Sequence, residues 1–236
     1  MKVVQPRLYV LLLSCAFAGS ALAQTAPVPS VGCPSDGQTG PEPAPEIFKA
    51  PVLPSKAATR LAWYASADLA VLAPRGWKCL GLYGSNGSIL LVVPSRADES
   101  RLGVDERVNS QGIELSISYG DTSGRFEAAK IAAYLFPNRR AFIDKVANEG
   151  IVPSRALRKT SFPDDRVHHL DQDHASFETP AKKDGLGTMS RLVKSGAPIL
   201  GAASIDGDND VTFLVVRLDP ALSELSPAIL ATVSPR

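Results

Sequence analysis

The sequence predicts an α+β fold: a mostly antiparallel β-sheet with packed helices, preceded by a Pro-rich extended segment. Three observations predict it. Short apolar runs, many alternating with period two, recur between turn residues from Lys78 to Leu218. Two stretches of helical spacing, broken at Pro137, interrupt those runs, and a third closes the chain. Residues 24–54 carry eight prolines and no apolar periodicity.

At the N-terminus, Lys2 and Arg7 flank the start of an apolar run, Leu8 to Ala18, and Ala21-Leu22-Ala23 places small residues at a cleavage position before Gln24. This is the pattern of a secretory signal peptide over residues 1–23. The run is about 11 residues, against the roughly 20 a membrane-spanning helix needs. Leu12-Leu13-Ser14-Cys15 loosely resembles a lipobox, so an anchor on acylated Cys15 is the alternative processing route. The expected location is the periplasm or the exterior. The expected organisation is signal peptide 1–23, Pro-rich strap 24–55 and a single α+β domain over 56–236.

Lys56 to Ser66 reads as a short helix carrying Leu61 and Tyr64. Lys78 to Ser85 and Ser88 to Val93 flank Asn86-Gly87, the favoured pair for a two-residue hairpin turn. That turn sets Ser85 opposite Ser88, Tyr83 opposite Leu90 and Gly81 opposite Val92. One face then carries Leu80, Leu82, Ile89, Leu91 and Val93, and the other Cys79, Tyr83, Leu90 and Val92. Both faces are apolar, so both should be covered, the second by the strap through Cys33.

Gly112 to Tyr119 alternates Ile113, Leu115, Ile117 and Tyr119 with Glu114, Ser116 and Ser118, as a half-buried strand does. Ser123 is placed to cap a helix running to about Leu135, and Asn138 to cap a second that ends at Gly150. Further strands are expected at Val167 to Leu170, His174 to Glu178, Thr188 to Val193, Ile199 to Ile205 and, centrally in the sheet, Val211 to Leu218. Pro220 to Val233 reads as the final helix.

Without residues 1–23, the 25 basic residues lose Lys2 and Arg7 and stand against 24 acidic ones, a formal charge of −1. That balance gives no electrostatic case for nucleic acid or an anionic membrane. Cys33 and Cys79 are the cysteines left after removal of Cys15. In an oxidising compartment they have one possible pairing, closing a loop of about 47 residues that the chain-entropy model values at roughly 4 kcal/mol.

Several stretches resemble a group of uncharacterised secreted bacterial proteins of the cell envelope. They are Val71-Leu-Ala-Pro-Arg-Gly-Trp-Lys-Cys79, Tyr83-Gly-Ser-Asn-Gly-Ser88, Glu178-Thr-Pro180, Gly185-Leu-Gly-Thr-Met-Ser-Arg-Leu-Val193 and the final strand and helix. The resemblance covers most of residues 60–233. It implies an envelope address and brings no activity. The ending Leu218-Asp-Pro220 with Leu225-Ser-Pro227 is similar, at the level of pattern, to that of PsbP-like domains. That likeness implies an antiparallel sheet between helical layers and a role in binding partners.

Candidate chemistry is sparse. His168, His169 and His174 share one run with Asp171 and Asp173, residue types that zinc accepts. The expected hairpin places them at a wet turn, where a polar turn is the simpler account. Asp206-Gly-Asp208-Asn-Asp210 starts like a calcium loop, but Val211 and Arg217 occupy the positions where Gly and Glu are required. Ser85 has Tyr83 where a nucleophile elbow needs Gly, and a strand after it instead of a helix. Gly185-Leu-Gly187-Thr-Met-Ser190 lacks the third Gly of a dinucleotide fingerprint and reads instead as a hairpin entry needing positive φ.

Arg75 and Arg191 are possible anion contacts, and Trp63, Tyr64 and Trp77 a possible groove lining, with surface pairing and packing as the plainer roles. The expectation is therefore a non-catalytic exported envelope protein that binds a partner or small ligand, without cofactor or metal. Tyr134, Arg139 and Arg140 at the helix–helix turn are its candidate anchors. A periplasmic hydrolase or metal-dependent enzyme is the alternative.

Overall fold

The computed structural model describes residues 25–46, 49–95, 107–157 and 162–233. The signal peptide, the lipobox at Cys15 and the cleavage point before Gln24 lie outside the described residues. The fold is α+β, with mostly antiparallel sheet.

Residues of the Pro-rich segment form short extended strands: β1 (Thr25–Pro27), β2 (Ser30–Gly32), β3 (Ser35–Gly37) and β4 (Val52–Pro54). Proline fixes φ in the extended range but removes a donor, which suits short edge strands. β1 pairs with β4, β2 runs parallel to β5 (Leu61–Ala65), and β3 runs parallel to β7 (Lys78–Gly84). The strap thus builds sheet edges as well as covering a face.

Residues 56–66 differ from expectation. The helix α1 is a single turn, Ser55–Ala58, and Leu61–Ala65 is strand, paired with β6 (Ala70–Pro74). Four of the five residues of β5 are buried, so no period-two signal marked it.

Among the described residues, the main sheet has eight strands in the order β10-β11-β12-β13-β9-β8-β7-β3. The remaining ranges are β8 (Gly87–Val93), β9 (Gly112–Ser118), β10 (Arg166–His169), β11 (His174–Thr179), β12 (Ile199–Ile205) and β13 (Val211–Arg217). β13 is interior, as its two apolar faces predict.

In the β7–β8 hairpin Tyr83 faces Ser88 and Gly81 faces Leu90, a slide of two residues from the expected register. The turn is Ser85-Asn86, neither with positive φ. Gly87 is instead the first strand residue, at φ +146°. A Cβ there would lie 1.9 Å from the carbonyl oxygen of Ile117, so the neighbouring strand demands the glycine. A slide of two preserves the faces.

Those faces belong to two cores. Leu90 and Val92, with Ile113, Leu115, Leu214 and Val216, pack under the β2-β5-β6 sheet and under α4 (Ser226–Leu230). Leu91 and Val93, with Phe213 and Val215, pack under α2 (Arg125–Leu135) and α3 (Arg140–Asn148). The outer part of that second face, Leu80, Leu82 and Ile89, is only half-buried and stays open.

Ser123 does not cap α2. Gly124 holds the N-cap position, and its N–H is donated to Thr122 Oγ1 at 3.1 Å. The second helix begins with a 3-10 turn, Pro137–Arg139, with Asn138 inside it, and ends before Gly150 at φ +71°. Thr188 to Val193 is not a strand. Leu186–Met189 is a 3-10 turn, and Leu192 makes a lone parallel bridge to Val108. The final helix is split into a 3-10 segment, Pro220–Leu225, and α4.

Cys33 and Cys79 are disulfide-bonded, with Cα atoms 5.3 Å apart. Cys33 is fully buried in the first core, so the bond ties the strap to β7 from inside.

Candidate cleft on the open sheet face

The polar half of β9, Glu114, Ser116 and Ser118, does not face bulk water as a solvated strand face would. It lines a cleft of about 920 Å³ on the α2 side of the main sheet. Leu82, Ile89 and Phe213 lie beside it on neighbouring strands. Phe126, Glu127 and Ile131 of α2 form one wall, and Met189, Ser190, Arg191 and Arg107 close one end. The cleft arises because α2 covers β9 and β13 but leaves the outer hairpin bare.

Glu114 is the chemical centre of the closed end. It is 4% exposed. Its Oε2 accepts the Arg191 backbone N–H at 2.9 Å and lies 3.7 Å from the Arg191 guanidinium. Burial pushes its carboxyl above the ordinary range, opposed by that N–H and by the charges of Arg191 and Arg107. Arg107 donates to the carbonyl of Ser190 at 3.1 Å.

The segments bearing these groups are held by Arg217, the residue read above only as a misfit in a calcium loop. Its guanidinium donates to the carbonyls of Ser110 at 2.6 Å, Val193 at 2.5 Å and Val108 at 2.7 Å. Burial lowers its pKa.

The residues singled out from sequence lie elsewhere. His168 and His169 are successive residues of β10 and point to opposite faces. His174 Nδ1 pairs with Asp171 at 2.9 Å, and Asp173 accepts from Arg139 at 2.9 Å. The Asp173 N–H and His174 hold the Asp171 carboxyl below its usual range. Among the described residues, no three His, Cys, Asp or Glu side chains gather as a metal site.

Asp206 Oδ1 accepts the N–H groups of Asp208 at 2.9 Å and Asp210 at 3.0 Å, and Asp210 accepts from Gly120 at 2.7 Å, so this acidic run forms a turn. Ser85 lies in the exposed hairpin turn, its N–H bonded to Gln38 at 3.1 Å.

Gly185 has φ −167°, so positive φ is not what requires glycine there. A Cβ at Gly185 would lie 2.1 Å from Asp165 Oδ1. The Leu186 and Gly187 N–H groups donate to Asp165 at 2.6 Å and Thr179 at 2.9 Å, which leaves neither for a phosphate. Arg75 donates to the carbonyls of Leu61 and Ala58.

Tyr64 is buried and bonds the Pro74 carbonyl and the Trp77 N–H, while Trp63 and Trp77 pack against the first core. Tyr134 is buried and stacks on Phe162 at 5.1 Å, Arg139 is tied to Asp173, and Arg140, 77% exposed, pairs with Asp144. The three do not form one exposed patch, because α2 turns Tyr134 into the core.

Sequence reasoning missed Glu114, Ser116, Ser118, Arg107 and Arg217. The signal that could have found Glu114 is a lone acid among serines on a strand whose neighbours are apolar on both faces. The chain matches no protein-family model, no curated protein and no solved structure.

Proposed function

We propose that this chain is an exported, non-catalytic envelope protein that binds a small ligand in the cleft over β7, β8 and β9. The observation that carries this reading is the cleft itself. It is a concave space of ligand size whose lining mixes apolar side chains such as Leu82, Ile89 and Phe213 with polar ones such as Glu114, Ser116 and Arg107, and concave spaces of that size are where small ligands bind. The export pattern at residues 1–23, the Cys33–Cys79 disulfide and the resemblance to secreted envelope proteins support the address. Among the described residues, no helix is long and apolar enough to cross a membrane.

The test is chemical-shift mapping of the disulfide-bonded protein against small molecules extracted from an envelope fraction. Shifts should centre on Leu82, Ile89, Ser116 and Ser118. Shifts confined to other surfaces overturn the reading.

Glu114 favours a second reading, acid–base catalysis. It is a buried carboxyl in a cleft, held toward its neutral form, as general acids are. Turnover of ester, peptide or phosphate substrates above background, lost in Glu114→Gln, would replace the binding role with this one.

A further inference from the structure

We propose that the cleft takes a short, uncharged oligosaccharide, held at the hairpin-turn end by Asn86, Ser118 and Ser123. This rests on the reading of the cleft as the ligand site and adds the chemistry of the ligand. The charged side chains of the lining are already engaged. Asp36 accepts the Gly37 N–H at 2.8 Å, Glu127 pairs with Lys130 at 2.8 Å, and Arg107 donates to the Ser190 carbonyl at 3.1 Å. Glu114 accepts the Arg191 N–H and lies beside its guanidinium. Both signs of charge are present, and each of these groups has a partner within the protein.

The neutral polar groups divide in two. The Ser190 hydroxyl donates to the Gly187 carbonyl at 2.7 Å, that of Ser88 to Asp68 at 2.6 Å, and that of Tyr83 to the Gly40 carbonyl at 2.6 Å. The Gln38 amide bonds Ser85, and the Ser116 hydroxyl donates to the Phe213 carbonyl at 3.4 Å. The Asn86 amide and the hydroxyls of Ser118 and Ser123 have no partner among the described residues.

The fold brings those three together. Gly87 pairs with Ser118, and the Asn86 carbonyl accepts the Tyr119 N–H at 3.1 Å. A Cβ on Gly124, the residue after Ser123, would lie 2.0 Å from that same carbonyl. An amide or a hydroxyl both donates and accepts. A carboxylate ligand would use only the donors of this cluster and an ammonium only its acceptors, whereas a sugar hydroxyl uses both. In the free protein water satisfies the three groups, and sugar hydroxyls replace that water bond for bond. One row further along the same face, Leu82, Ile89 and Ser116 are cross-strand neighbours. The two aliphatic side chains there receive the C–H faces of a pyranose ring.

The test is an amide chemical-shift titration of the disulfide-bonded protein with maltotriose and chitotriose, beside trigalacturonate as the anionic trimer and glucosamine trimer as the cationic one. At least one neutral trimer should move the amides of Gly87, Ser118 and Ser123, and neither charged trimer should bind more tightly. Asn86→Ala, Ser118→Ala and Ser123→Ala should each weaken the neutral trimer by about threefold to tenfold, the worth of one neutral hydrogen bond. Their melting temperatures should match the wild type, since none of these side chains has a partner in the fold.

A charged trimer bound about tenfold or more tightly than both neutral ones would overturn the uncharged ligand and leave the cleft as a site. A neutral trimer bound equally by the wild type and all three variants would place the sugar elsewhere and sink the inference. Neutral trimers that leave those amides unmoved would also overturn it. Shifts in the cleft from the envelope extract would then keep the site for a ligand of other chemistry, and their absence would remove both readings.

Discussion

Glu114 and Arg217 stand on adjacent strands, on the same face of the sheet, and grip the same pair of chain segments. Glu114 accepts the Arg191 N–H, while Arg217 donates to the carbonyls of Val108, Ser110 and Val193. The two segments also bond each other, Val108 N–H to the Arg191 carbonyl at 2.8 Å and Val193 N–H to the Val108 carbonyl at 3.0 Å. A buried acid and a buried base thereby satisfy backbone groups of Ser110, Arg191 and Val193 that the lone bridge between Val108 and Leu192 does not reach.

Removing Arg217 should loosen that end of the cleft. Arg217→Met removes the charged donor from the part-buried carbonyls of Ser110 and Val193, and should cost roughly 1–3 kcal/mol, the scale of hydrogen bonds to a charged group. Arg217→Lys should recover less than half, since one ammonium does not span three carbonyls. Urea unfolding at neutral pH measures both.

Glu114 gives stability a pH dependence of known sign. Its folded-state pKa is raised by burial, so the folded state binds more protons than the unfolded chain above the ordinary value of 4.5. Its contribution is fully present below that value and is lost as pH rises toward the folded pKa. The difference in unfolding free energy between the wild type and Glu114→Gln should therefore shrink on acidification from neutral pH to pH 4.5. A difference that is flat with pH would show that Glu114 titrates alike in both states.

Breaking the disulfide should cost about 2–4 kcal/mol, through the freedom regained by the unfolded chain. Cys33→Ala and Cys79→Ala should be equivalent, and neither should add to the other. Peptide mapping without reductant should recover Cys33 linked to Cys79, whereas alkylation of both thiols without reductant would disprove the bond in solution.

Gly87→Ala should destabilise by about 1–3 kcal/mol, because φ +146° is closed to a Cβ and the Ile117 carbonyl blocks its place. Gly84→Ala, two residues before the turn ends, meets Asn86 Oδ1 at 3.1 Å and the Gln38 side chain at 3.6 Å, both movable side chains, and should stay within about 1 kcal/mol. Comparison of the two melting curves separates backbone strain from general turn disruption.

The exported protein should begin at Gln24, with intact mass as the measurement. A start at acylated Cys15 would establish the lipoprotein route instead.

The strands with period-two patterns, the hairpin and the cysteine pair were legible because each is a local or countable signal. Leu61–Ala65 was not, since burial on both sides erases the alternation that distinguishes strand from helix. The turn at Leu186–Met189 was hidden for a different reason. Its glycines serve close approach to Thr179 and Asp165, partners distant in sequence. Glu114 was visible but misread. Alternation tells which residues share a face, but here the polar face is covered by Arg107, Arg191 and α2, whose placement no local pattern encodes.

The strand order carries a consequence for how this chain is made. β7, β8 and β9 form one antiparallel meander and β10 to β13 another, and the seam between them is β9 against β13, residues 112–118 against 211–217. On a chain emerging N-terminus first, β9 is an unpaired border until nearly the whole polypeptide has arrived, the situation that invites pairing with a neighbouring molecule. A carboxylate pointing inward from the middle of that strand makes such pairing costly. Glu114 would then serve as a guard during assembly before it serves the cleft.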